Sequence, residues 1–280
     1  MPTSADNSPS QRIAEAAALL PGYGAIGGWA SAYWPGMRLL DGRGACGTER
    51  LPVLLCLGAG RKIHKRPGIS LSREILPDSD VVDVRGLACT SPLRTTFDGC
   101  RLTGQLRDAV VFVDMMLTCG AITLPRYRAY VEQHGGWKGV PMARSALTLA
   151  AAGTRSPPET RLRLMWMLEA GLPTPVVNRP VFSLDGELLG VPDIIEPESA
   201  TVGEYDGDDH PAAVNHTDDN EREELFEDHN LTVMRATRID LRWRRSATVA
   251  RMRGARARGL RRDHSHDRWT LEPPPWWTGR

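Results

Sequence analysis

The sequence predicts an α/β fold, α+β in its overall organisation, arranged as two domains. Three observations carry that expectation. The chain has 280 residues, more than one average domain requires. Apolar residues recur with helical spacing in some segments and with strand spacing in others. A run of small residues ending in a Pro pair, "AAGTRSPPE" at 151–159, separates a first half that ends in helices from a second half. That second half reads helix, strand, strand, strand, helix, strand, helix. With 41% apolar residues the chain can bury a sizeable core.

Residues 1–10 are polar, with Pro and Ser, and are expected to be disordered. "SQRIAEAAALLP" predicts a helix with Ser10 as the N-cap candidate, ending before Pro21. The stretch 22–60 is rich in Gly and Trp and contains "LPVLLCL", a buried strand. "RKIHKR" at 61–66 leaves two readings open: contact with phosphate, or a solvated edge strand that uses Lys and Arg to block aggregation. "DVVDVRGLACTSPLRTTFDGC" predicts a strand, a turn, and a helix capped by Thr90 or Ser91 with Pro92 at its first position. "QLRDAVVFVDMMLTCG" continues as a buried helix ending at Gly120, and "LPRYRAYVEQHGGW" and "MARSALTLAA" predict two more. Residues 11–152 therefore form the N-terminal α+β domain.

After the boundary, "SPPETRLRLMWMLEAG" predicts a helix with Ser156 as N-cap, Pro157 at the first position, Glu159 in a capping box, and a stop at Gly171. "VVNRPVFSLDGELLGVPDIIEP" and "ATVGEYDG" supply strands, "DDNEREELFEDH" a helix, "LTVMRAT" a strand, and 246–262 a helix with its arginines exposed. This domain spans 153–262, with a mixed sheet flanked by helices. A Trp- and Pro-rich tail, 263–280, is expected to dock through Trp269, Trp276 and Trp277. No internal repeat is visible.

Composition narrows the function classes. No apolar run approaches the ~18 residues of a membrane span, and "MPTSADNSPSQR" lacks the pattern of a signal peptide. Cys46, Cys56, Cys89, Cys100 and Cys119 form no CxxC pair, so reduced thiols in a cytoplasm are expected and structural zinc is not. The net charge of +1 hides an asymmetry: acids dominate from Asp193 to Asp228, and arginines dominate from Arg235 onward. An acidic stretch beside a basic one suits a metal site next to a phosphate-binding surface.

The acidic stretch holds the chemistry. In a strand, Val202, Glu204 and Asp206 share one face. If "GVPDII" pairs with that strand through the loop "EPESA", Asp193 lies beside Glu204. Buried neighbouring carboxylates repel, and burial raises their pKa, so they stay ionised together when a cation sits between them. Magnesium (or manganese) suits oxygen ligands, keeps several waters and can activate one beside a phosphodiester. Gly207 permits close approach, and His210 follows at the mouth of such a site as a proton carrier. Taken singly, Glu159 reads as a helix cap, Asp206–Gly207 as a turn, His210 and His216 as loop residues, and Arg222 as an exposed helix arginine. In a second reading Glu204 pairs with Arg222 or Arg235 and the domain is a scaffold.

"PETRLRLMWMLEAGLPTP", "GVPDIIEPESATVGEYDGDDH" and "DDNEREELFEDHNLTVMRAT" together resemble the C-terminal domain of a large bacterial family of unknown function, related to very-short-patch repair endonucleases within the PD-(D/E)XK nuclease superfamily. The resemblance covers roughly 156–241. It implies a catalytic set of Glu159, Asp193, Glu204, Asp206 and His210, with Asp193, Glu204 and Asp206 holding the metal, and a later D-x-x-R on Asp219 and Arg222. The superfamily's usual E-x-K lysine is absent: Asp206 stands in its place, and His210 matches the histidine of repair-type relatives. Residues 12–150, chiefly "TSPLRTTFDGC", resemble the middle domain of actinobacterial relatives of type IV abortive-infection antitoxins, without a full winged helix-turn-helix.

Two functions follow as expectations. One is a magnesium-dependent DNA endonuclease or nicking enzyme, with the first domain recruiting or regulating it and Arg222, Arg251, Arg256 and Arg258 contacting DNA. The other is a non-catalytic, antitoxin-like regulator in phage defence, with a partner such as a cognate toxin.

Overall fold

The computed structural model describes residues 8–44, 47–207 and 215–279, with backbone alone for 215–221. The chain is of the α/β class and divides into two compact units, Met1–Ala152 and Gly153–Arg280. No helix among the described residues is long and apolar enough to cross a membrane.

In the first unit, α1 (Pro9–Ala17) is capped by Ser8, whose Oγ accepts the Gln11 N–H. Ser10, the expected cap, lies inside the helix, because Pro9 presets the helical φ and gives up an N–H that would have no partner there. There follow β1 (Ala25–Gly27), α2 (Gly28–Tyr33), β2 (Val53–Cys56), β3 (Ile69–Ser72), β4 (Val81–Val84) and β5 (Leu87–Thr90). They make a mixed sheet in the order β3-β2-β1-β5-β4. "DVVDVRGLACT" was expected to give one strand and gives a hairpin. Arg85 and Gly86 both take left-handed φ (52° and 77°), the geometry that matches a two-residue turn to strand twist. "RKIHKR" is not an edge strand: it lies in the connection between the parallel strands β2 and β3, and β3 is the edge.

Four helices complete the unit: α3 (Pro92–Arg101), α4 (Leu106–Thr118), α5 (Leu124–Gln133) and α6 (Val140–Leu149). Ser91 caps α3 through its hydroxyl, with Pro92 at the first position. The segment "TSPLRTTFDGC" turns its charges inward. Arg94 is fully buried, with Nε 2.7 Å from Asp98, Nη1 3.3 Å from Asp80 and 2.9 Å from the Ile75 carbonyl, and with its guanidinium over the Trp137 ring. Arg101 adds a second clamp on Asp98, at 2.6 Å, and pairs with Glu74. A buried charge is tolerated when it is paired and hydrogen-bonded, so this cluster holds α3 against the sheet.

In the second unit, α7 (Pro157–Leu164) runs into a π-helical turn at Met165–Glu169 and stops at Gly171, whose φ is 63°. Four short strands follow, β6 (Val176–Val177), β7 (Val181–Ser183), β8 (Leu188–Gly190) and β9 (Ile194–Glu196), then β10 (Thr201–Asp206), α8 (Asn215–Asp228), β11 (Thr232–Thr237), α9 (Arg238–Arg242), α10 (Arg245–Gly259) and β12 (Trp269–Thr270). One sheet is mixed, in the order β11-β10-β9-β6, with β10 and β11 parallel; the other, β12-β7-β8, is antiparallel. Strand alternation splits the core. Leu162, Trp166, Ile194, Met234 and Met252 pack on one face of the mixed sheet, and Val181, Ile195, Val202 and Phe226 on the other.

The C-terminal segment forms the expected helix and departs from expectation at its end. The arginine helix keeps Arg251, Arg253 and Arg258 exposed, while its other side, Thr248, Met252, Ala255 and Gly259, docks on the unit. A Cβ at Gly259 would lie 2.2 Å from the Ser199 carbonyl oxygen, so only glycine allows this approach. The Trp-rich segment is not a separate tail: β12 pairs with β7 as the sheet's outer strand, and Trp277 and Trp276 meet Phe182 edge to face at 5.2 and 6.1 Å.

Candidate active site

The site is set by a hairpin register. β9 and β10 pair antiparallel, with Ile194 opposite Gly203, Ile195 opposite Val202, and Glu196 opposite Thr201. The turn fixes that register: Ala200 adopts φ 43°, and the Glu196 carboxylate accepts the N–H groups of Glu198 and Ser199. Gly203 lets the strands close, since a Cβ there would sit 2.8 Å from Ile194 Cγ1. The ladder ends at Ile194 and Gly203, and Asp193 lies in the bend just before β9. Its Oδ2 accepts the Tyr205 N–H at 2.7 Å.

Glu159 enters from α7. Ser156 Oγ accepts the Glu159 N–H at 3.4 Å, as the capping pattern predicts. The return bond is displaced by one residue: the Glu159 carboxylate accepts the N–H of Arg155, not of Ser156, at 2.7 Å. It also accepts Asn178 Nδ2 at 2.7 Å, while the Asn178 N–H donates to the Asp193 carbonyl at 3.1 Å. Asn178, at φ 45°, thus ties the helix acid to the strand acid. Sequence reasoning missed it, and nothing in "VVNRPV" marks it beyond the tolerance of Asn for left-handed backbone.

Glu159 and Glu204 are 8% and 7% exposed, so three carboxylates share a poorly solvated corner. Burial pushes the pKa of Asp193 up to about 7. The Tyr205 N–H opposes the rise, the charges of Glu159 and Glu204 reinforce it, and Arg222 opposes it again.

Arg222, on α8, answers this charge. Its Nη2 lies 3.0 Å from Glu204 Oε2. Gly190 on β8 makes room: a Cβ there would be 2.8 Å from Phe226 Cζ and 3.4 Å from Arg222 Cδ. Arg235 sits beside Glu204 in the β10–β11 pair and bonds Glu223 at 3.0 Å. Asp206 ends β10 exposed and does not join the buried carboxylates. His210 and Asp219 lie outside the residues whose side chains are described. Among the described residues there is no group of three or more His, Cys, Asp or Glu side chains arranged to hold a metal ion.

The expected DNA-facing arginines divide. Arg256 turns toward the hairpin, 18% exposed, with Nε 3.2 Å from Glu196 and Nη2 2.7 Å from Glu198. Its place on an exposed face is corrected: the acids of the β9–β10 turn draw it inward. Arg251 bonds Asp240 at 3.3 Å and the Arg235 carbonyl. Arg258 is exposed.

Asp193 and Glu204 are the buried carboxylates that could hold a divalent cation. Magnesium takes one or two protein carboxylates and completes its shell with water and phosphate oxygens, so it requires no all-protein cage. No family model, no curated protein and no solved structure matches the chain.

Proposed function

We propose that the second unit is a magnesium-dependent phosphodiester hydrolase that cleaves or nicks DNA. The observation that carries this reading is the placement of Asp193 just before β9, bonded to the Tyr205 N–H beside Glu204, with Glu159 and Glu204 close enough to raise its pKa. Asp193 and Glu204 would hold the ion, which when bound would activate a water and offset the charge developing at phosphorus. Asn178 and the Arg155 N–H fix Glu159. Arg222 neutralises Glu204 without metal, and its half-exposed guanidinium is placed to take a phosphate oxygen once a cation replaces it. Thermal melting with and without magnesium tests this, beside nicking of supercoiled plasmid. Magnesium should raise the melting temperature of the native chain, because a ligand that favours the folded state stabilises it. It should not raise that of Glu204→Gln.

The Arg222–Glu204 pair favours a second reading: a nuclease-like scaffold serving a regulator, with a protein partner such as a toxin. Under it magnesium leaves the melting temperature of the native chain unchanged and no DNA is cut.

A further inference from the structure

We infer that the β2–β3 connection of the first unit, residues 57–68, is a binding surface for the phosphodiester backbone of duplex DNA. β2 and β3 are parallel, with Val53 opposite Ile69 and Cys56 opposite Ser72, so the chain must run back the length of the strands between them. Such crossovers ordinarily carry a helix. This one contains neither helix nor strand, and a long irregular connection in a compact domain is commonly a functional one.

Its charge is one-sided. Residues 51–73 contain no Asp or Glu. Arg61, Lys62, Lys65 and Arg66 are all exposed, as is Arg73 at the end of β3. Among the described residues none of the four crossover cations forms an ion pair. Arg61 sits over the Tyr23 ring, 3.8 Å from its centroid, at the start of the run. The contrast with the C-terminal arginines is direct: Arg245, Arg256 and Arg262 are bound to Glu169, Glu196 and Asp267. Those three arginines are taken up by acids of the fold, whereas the crossover cations are not. Guarding a sheet edge does not explain this, because the edge strand is Ile69–Ser72 and the four cations are not on it.

Four like charges within six positions repel unless a polyanion lies against them. Six residues reach at most ~20 Å, over which one DNA strand presents about six phosphates at ~3.4 Å of axis each. An anionic membrane is disfavoured, since Ile63 is the only apolar residue within the run and it is half-buried.

The surface belongs to the first unit and its test needs no catalysis. Full-length protein is titrated into a labelled 25-base-pair duplex in EDTA, at ~50 to ~200 mM salt, by fluorescence anisotropy. Each lost phosphate contact reduces the slope of log affinity against log salt by ~0.9. K62A/K65A/R66A should therefore flatten the slope by about two to three and weaken binding at least tenfold at the lowest salt. R126A/R128A, at exposed positions of α5, should leave it unchanged. The single variants K62Q and K65Q should each remove about one unit, so a folding defect in the triple variant would not hide the result. An unchanged slope in these variants, no duplex binding by the native chain, or binding to phosphatidylserine vesicles in place of DNA would each overturn the assignment. Magnesium-dependent melting is read separately, so failure here is distinct from failure of the hydrolase reading.

Discussion

The Asp193 carboxylate is held at the end of the β9–β10 pair by the N–H of Tyr205, the residue next to Glu204, whose charge acts on it. A carboxylate pinned beside two others must either keep a proton or gain a cation.

The first consequence is a pH dependence of stability. The folded-state pKa of Asp193 is about 7, above its ordinary value of 3.8. Between those values the folded protein binds more protons than the unfolded chain, so this group favours folding at low pH and the benefit is lost as pH rises toward 7. In EDTA the melting temperature of the native chain, relative to Asp193→Asn, should fall from pH 5 to pH 8. Saturating magnesium should abolish that fall. A flat difference curve in EDTA would remove the raised pKa.

Glu204→Gln deletes one charge that raises the pKa of Asp193 and also the partner of Arg222. The pH-dependent fall should then shift to lower pH. In EDTA the variant should lose about 1 kcal/mol, since a half-exposed ion pair contributes little. Urea unfolding at pH 8 measures this; a loss above ~3 kcal/mol would show that Arg222 had been left as an uncompensated charge, as in a structural salt bridge.

Gly259→Ala places a methyl against the Ser199 carbonyl, which is backbone and cannot rotate away. Overpacking of this kind should cost about 3 kcal/mol, read as a lower urea midpoint with an unchanged slope.

Arg94→Ala leaves Asp80 and Asp98 buried without their shared guanidinium. Losing one partner of a buried network costs about 3–5 kcal/mol. Denaturant unfolding should show the first unit melting early, and Arg94→Lys should rescue it poorly because an ammonium cannot span both acids and stack on Trp137.

Arg256→Ala should destabilise the protein by about 1–2 kcal/mol by releasing Glu196, which is buried and anchors the hairpin turn. Arg258→Ala should be neutral. Equal melting temperatures for the two variants would contradict the inward placement of Arg256.

The α/β class was legible because strand and helix periods are strong where elements are long. So was the meeting of Asp193 with Glu204, since period two and a short loop leave few registers for "GVPDII" and "ATVGEYDG". Ser156 was found as a cap and Ser91 as one of two candidates because Pro follows each, although the same signal at Ser8 was passed over for Ser10. What escaped was decided by tertiary contact. The partner of Glu204 depends on how closely α8 approaches, and that depends on the missing side chain of Gly190. The inward turn of Arg256 was hidden because α10 buries Thr248, Met252, Ala255 and Gly259, a face too small and mixed to show an apolar stripe. β6 and β12 have two residues each, too short for any period to appear.

The pairing of β12 with β7 has a consequence for biosynthesis. β7 emerges early in its unit, and the strand that covers its outer edge is made after every other described strand. Until Trp269 and Thr270 leave the ribosome, the backbone groups of Phe182 and Ser183 on that edge have no ladder to join. An open edge beside an apolar side chain invites pairing with another nascent chain. The closing strand therefore acts as a latch on maturation: a ribosome that stalls short of Trp269 releases a chain with an adhesive flank.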